Sequence, residues 1–491
     1  MFYNKFAVRN LASQAIVLTL CKSLNLLISL VTAMMLSRYF NLTDYGTYSE
    51  IITTIMLSVS IFSAGLPSAL SYFIPKATNS RDRKNFITTY YYMVTFLSVI
   101  MAIVLIIFVP TIARYYNNQC IQLFTYAFIF LPWANLLMNS RSNMLISVNM
   151  IAKQAIYDTT HAITVSLVVI FTIYLNKSFT FFMHMYLAVE ILFALTVYYN
   201  AYALIDNWKF SCDFHLLKPV VTFSLPIGFA TAIGTILLHV DKIMIGGFYD
   251  TDAVAIYSNA GRELPLAYIA VCFNTVLMPQ IVKMIQYNKI TAALVLWKTS
   301  MEFCYIIICF LVTSVFVFAP QSISFLYSDK YLPGVDIFRI YTLSVLFRFT
   351  YFGMLLNATG NTIFVLVNSF VVLIFNIIFN YVFHHIWGFA GPALASVFSI
   401  AVMCICQVYA TRYCTSIPIR NMFPWRELFY ISIQNCIMGL IVYYTFNVII
   451  PLGTSIQEII KTVIICMLWG SIYFFFNKDK IKQLWSNLKT Q

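Results

Sequence analysis

Apolar runs of about twenty residues recur from one end of the chain to the other, separated by short polar stretches. A hydrocarbon core of roughly 30 Å takes about 20 residues of helix at 1.5 Å each. The pattern therefore predicts 14 transmembrane helices, over residues 11–38, 45–74, 86–110, 121–143, 153–175, 181–203, 219–247, 253–282, 294–319, 336–358, 363–385, 389–411, 428–450 and 458–476. The longest connections are Leu204–Pro219, Pro320–Val335 and Thr411–Arg426, too short for a folded soluble domain, so any function lies within the membrane. After Asn477 the tail sets Ile481, Leu484, Trp485 and Leu488 at helical spacing among Lys478, Lys480, Lys482 and Lys489. That suits a helix on the inner leaflet, or equally a frayed solubilising tail.

Composition narrows the class. At 61% apolar and 10% charged residues, the 491-residue chain is an all-α polytopic membrane protein, not a soluble multidomain one. The first run is as long as the others and has no small-residue cleavage site, so it is expected to stay in place as a helix. The 11 cysteines sit mostly in apolar runs, and Cys404 and Cys406 point to different helix faces, which makes them packing residues. A net charge of +13 would suit nucleic acid if it were clustered, but it is spread as the positive-inside rule demands. Of the 30 Lys and Arg, four (Arg38, Arg114, Lys177, Lys330) fall on one side and six in or at the edge of spans, leaving 20 on the other. Both termini are therefore placed in the cytoplasm.

The chain also repeats. Leu36 to Ile51 (LSRYFNLTDYGTYSEI) lies over Ile245 to Ala260 (IGGFYDTDAVAIYSNA) at an offset of 209, pairing Tyr48-Ser49 with Tyr257-Ser258 and Phe40 with Tyr249. A second trace sets Asn139 and Asn143 over Asn357 and Asn361. Spans 1–6 would then recur as 7–12, giving an N-lobe (1–205), a C-lobe (206–412) and an added pair with the tail (413–491). Six is an even number, so the two six-helix lobes keep one orientation, related by a pseudo-two-fold along the membrane normal.

Charges buried in spans carry the candidate chemistry. If they all faced lipid they would cost on the order of 20 kcal/mol together, so they face a cavity or each other. Lys22, Glu190, Arg262, Glu263 and Arg348 fall near mid-depth by residue counting, Glu302 nearer the cytoplasm, and Asp241 and Lys242 nearer the outside. Lys22, Arg262 and Arg348 come from both lobes and suit an anionic ligand, with Arg forks matched to phosphate oxygens. Each also has a structural reading as half of a buried ion pair, with Glu190 and Glu302 as partners of the cations. Asn376 and Asn380, at i and i+4, could ligate a small cation through their amide oxygens or make an interhelical amide contact. His384-His385 has no Cys, Asp or Glu beside it and is not read as a metal site. Pro67, Pro226, Pro265 and Pro279, with Gly65 and Gly228, interrupt spans 2, 7 and 8, as kinks that let helices bend or merely to accommodate packing.

DKIMIGGFY followed by AIYSNA and ELP in spans 7 and 8, LSRYFNLTDYGTY after span 1, and NIIFN with WGFAGPALAS in spans 11 and 12 resemble the polysaccharide branch of the MOP exporters, the Wzx-type O-antigen flippases. The resemblance implies two lobes around a central cationic cavity. It implies alternating access that carries an undecaprenyl-diphosphate-linked oligosaccharide across the bacterial inner membrane, with membrane lipids and other polysaccharide assembly proteins as partners and no nucleic acid. In the related lipid II flippase a sodium site uses an acid in span 7 with polar residues in spans 11 and 12, positions that match Asp241, Asn376, Asn380 and Ser396 and leave Na+ or H+ coupling open. This chain has Asn where that relative has a second acid, and Glu50 where it has a cation early in span 2. A multidrug exporter of the same superfamily would favour an acidic cavity. A membrane-embedded glycan polymerase or ligase would need a larger external loop than Pro320–Val335, which offers only Asp329 and Lys330. No catalytic residue is expected.

Overall fold

The computed structural model describes residues 11–77, 79–148, 150–205, 214–262, 264–449 and 453–490, and every regular element among them is a helix. In chain order these are α1 (Leu11–Tyr39), α2 (Leu42–Phe62), α3 (Leu66–Lys76), α4 (Ser80–Tyr115), α5 (Thr125–Ser147), α6 (Ile151–Tyr174), α7 (Phe179–Ile205), α8 (Leu217–Phe248) and α9 (Thr251–Ala260). There follow α10 (Tyr268–Gln286), α11 (Ile290–Val317), α12 (Ala319–Leu326), α13 (Val335–Ser344), α14 (Met354–Ala358), α15 (Thr362–Trp387), α16 (Gly391–Thr415), α17 (Ile419–Met422), α18 (Trp425–Tyr443), α19 (Ile456–Phe476) and α20 (Lys478–Thr490). Two compact units emerge, Met1–Ala255 and Ile256–Gln491, so the division by contact falls inside α9.

In the first unit α5 is the hub, packed by α2, α3, α4 and α7 around Phe128, Leu131, Leu136 and Leu137, all fully buried. α1 lies along α6, pinned by a Thr32–Ser166 hydroxyl pair at 2.6 Å. α2 starts where the Asn41 side chain accepts from the Asp44 N–H, satisfying one of the free donors of the first turn. It ends at Phe62, and past Gly65, whose φ of +71° only a residue without Cβ adopts freely, α3 continues at a 44° bend. Gly228 of α8 packs directly on Ala64 and Gly65 at that bend, where a Cβ on either glycine would strike backbone. The kink read from Gly65 and Pro67 is thus real, whereas Pro226 and Pro279 lie inside α8 and α10 without breaking them.

In the second unit α11 is the hub, against α10, α13, α18 and α20. α15 and α16 pack as an antiparallel pair that turns at Gly388, with Phe379 edge-on to Phe398 at 5.0 Å. The tail is a helix packed on this unit rather than a frayed end. α20 lays Ile481, Leu484 and Leu488 onto the core of this unit, and Trp485 meets Phe303 at 5.7 Å.

Ten helical stretches among the described residues are long and apolar enough to span, or eleven if the bent α2–α3 pair is one crossing. One of the ten, Ile363–Thr415, has 53 residues and as a single helix would be about 80 Å long, so it holds two crossings, α15 and α16. Counting α15 and α16 separately and the bent pair as one, this gives 12 of the expected 14: α1 is not among these stretches, and span 10 is not a continuous helix. It is α13, a 3-10 turn over Val345–Arg348, and the short α14. Large apolar side chains such as Phe96, Ile107, Tyr199, Phe229 and Phe475 stand at least two-thirds exposed, far more apolar surface than a soluble monomer shows, as a lipid-facing surface requires.

Candidate substrate-binding site

Two helix breaks define the site in the second unit. The span predicted over 253–282 stops at Ala260, and Gly261 and Arg262 follow before a 3-10 turn at Pro265–Ala267 that leads into α10. Pro265 has no N–H to continue the helix, so the break is written locally. The other break is the Val345–Arg348 turn after α13, and these two turns pack against each other. Arg262 and Arg348, one on each broken segment, are both half-buried. Tyr257 and Tyr341 brace the region through hydroxyls 3.1 Å apart, and Trp297 donates to the Thr350 hydroxyl at 2.9 Å just beyond Arg348. Irregular backbone at membrane depth is tolerated only where it is buried in protein or lines a water-filled cavity.

Lys22, the third expected cation, stands exposed on α1 in the first unit. The acids expected to partner these cations do otherwise. Glu190 is buried on α7 and meets His161 Nε2 of α6 at 3.0 Å and the Tyr186 hydroxyl. Glu302 lies 3.8 Å from Lys480 of α20, which also pairs with Glu427 of α18, so this acid clamps the tail helix in place. Glu263 lies outside the described residues.

The residues matched to a cation site divide between the units. Asp241 is buried on α8, with one carboxylate oxygen accepting from the Lys242 N–H at 2.8 Å. In the second unit Asn376 donates to Ser399 at 3.1 Å and Ser396 at 3.4 Å, while Asn380 donates to the Asn376 amide oxygen at 3.0 Å. Asn376, Asn380 and Ser396 do come together, and Ser399 joins them. As arranged they form an amide network tying α15 to α16, in which Asn380 Oδ1 is the buried acceptor left over. Among the described residues no three His, Cys, Asp or Glu side chains gather as a metal site would need.

Two clusters were not legible in the sequence. Arg141 of α5 is 2% exposed, bonds Asp158 of α6 at 2.6 Å and stacks on the Tyr157 ring at 3.1 Å, while Gln154 holds the other Asp158 oxygen at 2.8 Å. Its Nε and one Nη are buried without a partner. Glu50, 1% exposed on α2, accepts from the Asn118 amide at 2.8 Å, which also reaches Thr47, and is met by the Thr251 hydroxyl. Beside it a Cβ on Gly46 would collide with the Thr251 carbonyl, so that approach of α2 to α9 depends on glycine. Thr43 donates to Asp252 at 2.8 Å, and these residues are 209 apart. In NSRSN the arginine lies between the two asparagines that mark the repeat, and nothing adjacent in the sequence announces its partner Asp158.

The fold is that of the MOP-type transporters. Over 95% of this chain and 100% of the other it superposes on a structure described as lipid II flippase MurJ in an inward closed conformation, with a TM-score of 0.77 at 16% identity. An inward-facing multidrug resistance MATE family transporter of the MOP superfamily matches 82% of this chain and 98% of its own, with a TM-score of 0.66 at 16% identity. The chain belongs to the polysaccharide biosynthesis protein family, which matches residues 11–285, more than half of its length. A relative described as an uncharacterized membrane protein, from Methanocaldococcus jannaschii, is 24% identical over 396 residues, 74% of this chain and 77% of its own.

Proposed function

We propose that the protein is a flippase that carries an undecaprenyl-diphosphate-linked oligosaccharide across the bacterial inner membrane by alternating access. The observation that carries this reading is the pair of packed helix breaks at Arg262 and Arg348. Discontinuous helices mark substrate sites in transporters, because unwound backbone and helix ends present polar groups at mid-membrane. Two guanidinium groups there suit a diphosphate, which each can engage through two parallel hydrogen bonds. Lys22, exposed on α1 of the first unit, is a further cation of the same reading. Family membership places the chain in polysaccharide biosynthesis, and the likeness to a lipid II flippase supports a lipid-linked substrate.

The 209-residue offset of the Thr43–Asp252 hydrogen bond supports the internal repeat, since residues related by a two-fold can touch only near its axis. The lobes proposed from the repeat are spans 1–6 and 7–12. Cytoplasmic termini follow from the charge bias, and coupling to Na+ or H+ through Asp241 and the Asn376–Asn380 network is part of the same reading.

The MATE likeness favours one alternative, a multidrug antiporter, but its cationic drugs would meet Arg262, Arg348 and Lys22. Disrupting the gene and analysing lipid-linked glycans separates the two. A flippase leaves a lipid-linked repeat unit accumulating on the inner face. Unchanged glycan export together with hypersensitivity to cationic dyes would contradict it.

A further inference from the structure

We propose that a cleft at the membrane surface, between the carboxyl end of α3 and the amino end of α8, is a second binding site, one for the phosphoryl headgroup of a lipid. It rests on the flippase reading and deepens it, naming where the headgroup is held outside the Arg262–Arg348 region. The cleft has a volume of about 710 Å³, within the roughly 300–1,000 Å³ of small-molecule sites.

Its chemistry is one-sided. Lys76 from the last turn of α3, with His215 and Lys218 from the turn entering α8, line it, and no carboxylate does among the described residues. Lys76 and Lys218 are both exposed. The first turn of α8, a helix of 32 residues, has no side-chain cap and puts Lys218 and Pro219 in the lining, so the positive end of its dipole lies beside the cleft. Arg81, Arg83 and Lys84 outnumber Asp82 at the start of α4, which packs on the His215 turn, so the net charge around the cleft is also positive.

The wall of the cleft is aromatic. Tyr72 and Phe223 stack at 4.4 Å and 20° between ring planes, and Lys76 Nζ lies 3.3 Å from the Tyr72 hydroxyl. Tyr72 remains 43% exposed, so its ring presents an apolar face beside the cations. Positive-inside lysines and interfacial tyrosines are common singly. Here cations from two helices converge on one concavity beside a stacked pair, an arrangement that fits a phosphoryl ester with an apolar or sugar flank. The prenyl diphosphate of a lipid-linked glycan and the phosphodiester of a bulk phospholipid share that chemistry.

The test uses the full-length protein in maltoside micelles, which carry no phosphate, with farnesyl diphosphate, inorganic pyrophosphate and short-chain phosphatidylglycerol as probes. Lys76→Glu/Lys218→Glu should weaken farnesyl diphosphate binding by about tenfold or more with an unchanged melting temperature, while Arg262→Ala/Arg348→Ala should leave this binding component in place. Competition by pyrophosphate assigns the diphosphate as occupant. Competition by phosphatidylglycerol alone assigns a bulk phospholipid, and either result supports a phosphoryl site. Equal affinity in the Lys76/Lys218 variant, affinity that follows only Arg262 and Arg348, or no saturable binding of any probe overturns the proposal. The gene disruption stands apart from this. Glycan accumulation with binding indifferent to Lys76 and Lys218 removes the cleft and keeps the flippase, and lysine-dependent binding without accumulation does the reverse.

Discussion

Arg141 in the first unit and Arg348 in the second are both arginines inside apolar sequence, and the structure treats them oppositely. Arg141 sits in a continuous helix, fully buried, with Asp158 and the Tyr157 ring fixing its guanidinium. Arg348 sits where a helix has come apart, half-buried, on a turn packed against the break that follows Arg262. A buried charge held by an opposite charge in regular backbone serves the fold, because its desolvation is offset only while both partners stay. A charge at broken backbone is the one the proposed flippase reading uses. The contrast is between two settings for an ionisable group in a chain where composition makes them look alike.

The sharpest way to break this comparison is to remove one partner from each region. Asp158→Ala leaves the Arg141 guanidinium uncompensated and should destabilise the protein by about 3–5 kcal/mol. This would be read as a large fall in the detergent melting temperature and lost membrane abundance, with Arg141→Met/Asp158→Ala partly recovering both. If Asp158→Ala melted like the parent, the structural assignment would fail. Arg348→Ala should do the reverse. It keeps abundance and melting temperature but loses at least tenfold in glycan export, the worth of one charge-assisted contact at about 1.5–3 kcal/mol, and Arg348→Lys should retain more.

A third substitution probes close approach rather than charge. Gly46→Val would push the Thr251 carbonyl from α2 at a cost of about 1–3 kcal/mol, visible as a lower melting temperature. No change would mean that α2 and α9 do not hold this spacing in solution. The smallest effect is expected at the amide network, where Asn376→Ala should cost only about 0.6–2 kcal/mol by thermal melting. A loss of sodium- or proton-dependent transport larger than that would move Asn376 from packing to coupling.

What the sequence told depended on how local each signal was. The spans were legible because hydropathy averages over about twenty residues, and the α2–α3 bend was legible because Gly65 and Pro67 write it into a few adjacent positions. The break after α13 is marked more weakly, since Val345–Arg348 has neither Pro nor Gly and Gly353 comes only at the far end, and the turn packs against α11, α16 and the Pro265 turn. Partnerships were hidden for a similar reason. Which carboxylate meets which cation depends on helix rotation and neighbour choice, so Glu190 paired with His161 rather than with any of the three singled-out cations. The amphipathic pattern of the tail is visible in the sequence, but not that its apolar face packs on α11 or that Lys480 meets Glu302 and Glu427. Asn376 and Asn380 share one helix face as their spacing suggested, and Ser396, matched only through the resemblance, meets Asn376 from the hairpin partner.

The central claim is that Arg262 and Arg348 together recognise the diphosphate of a lipid-linked glycan. The most direct measurement is flipping of a fluorescent undecaprenyl-diphosphate-linked sugar in proteoliposomes, comparing the parent with Arg262→Gln, Arg348→Gln and the double variant at matched incorporation. The account predicts that each single change slows flipping by at least about tenfold, with the double change near the protein-free rate. Parent-like flipping by the double variant would contradict it.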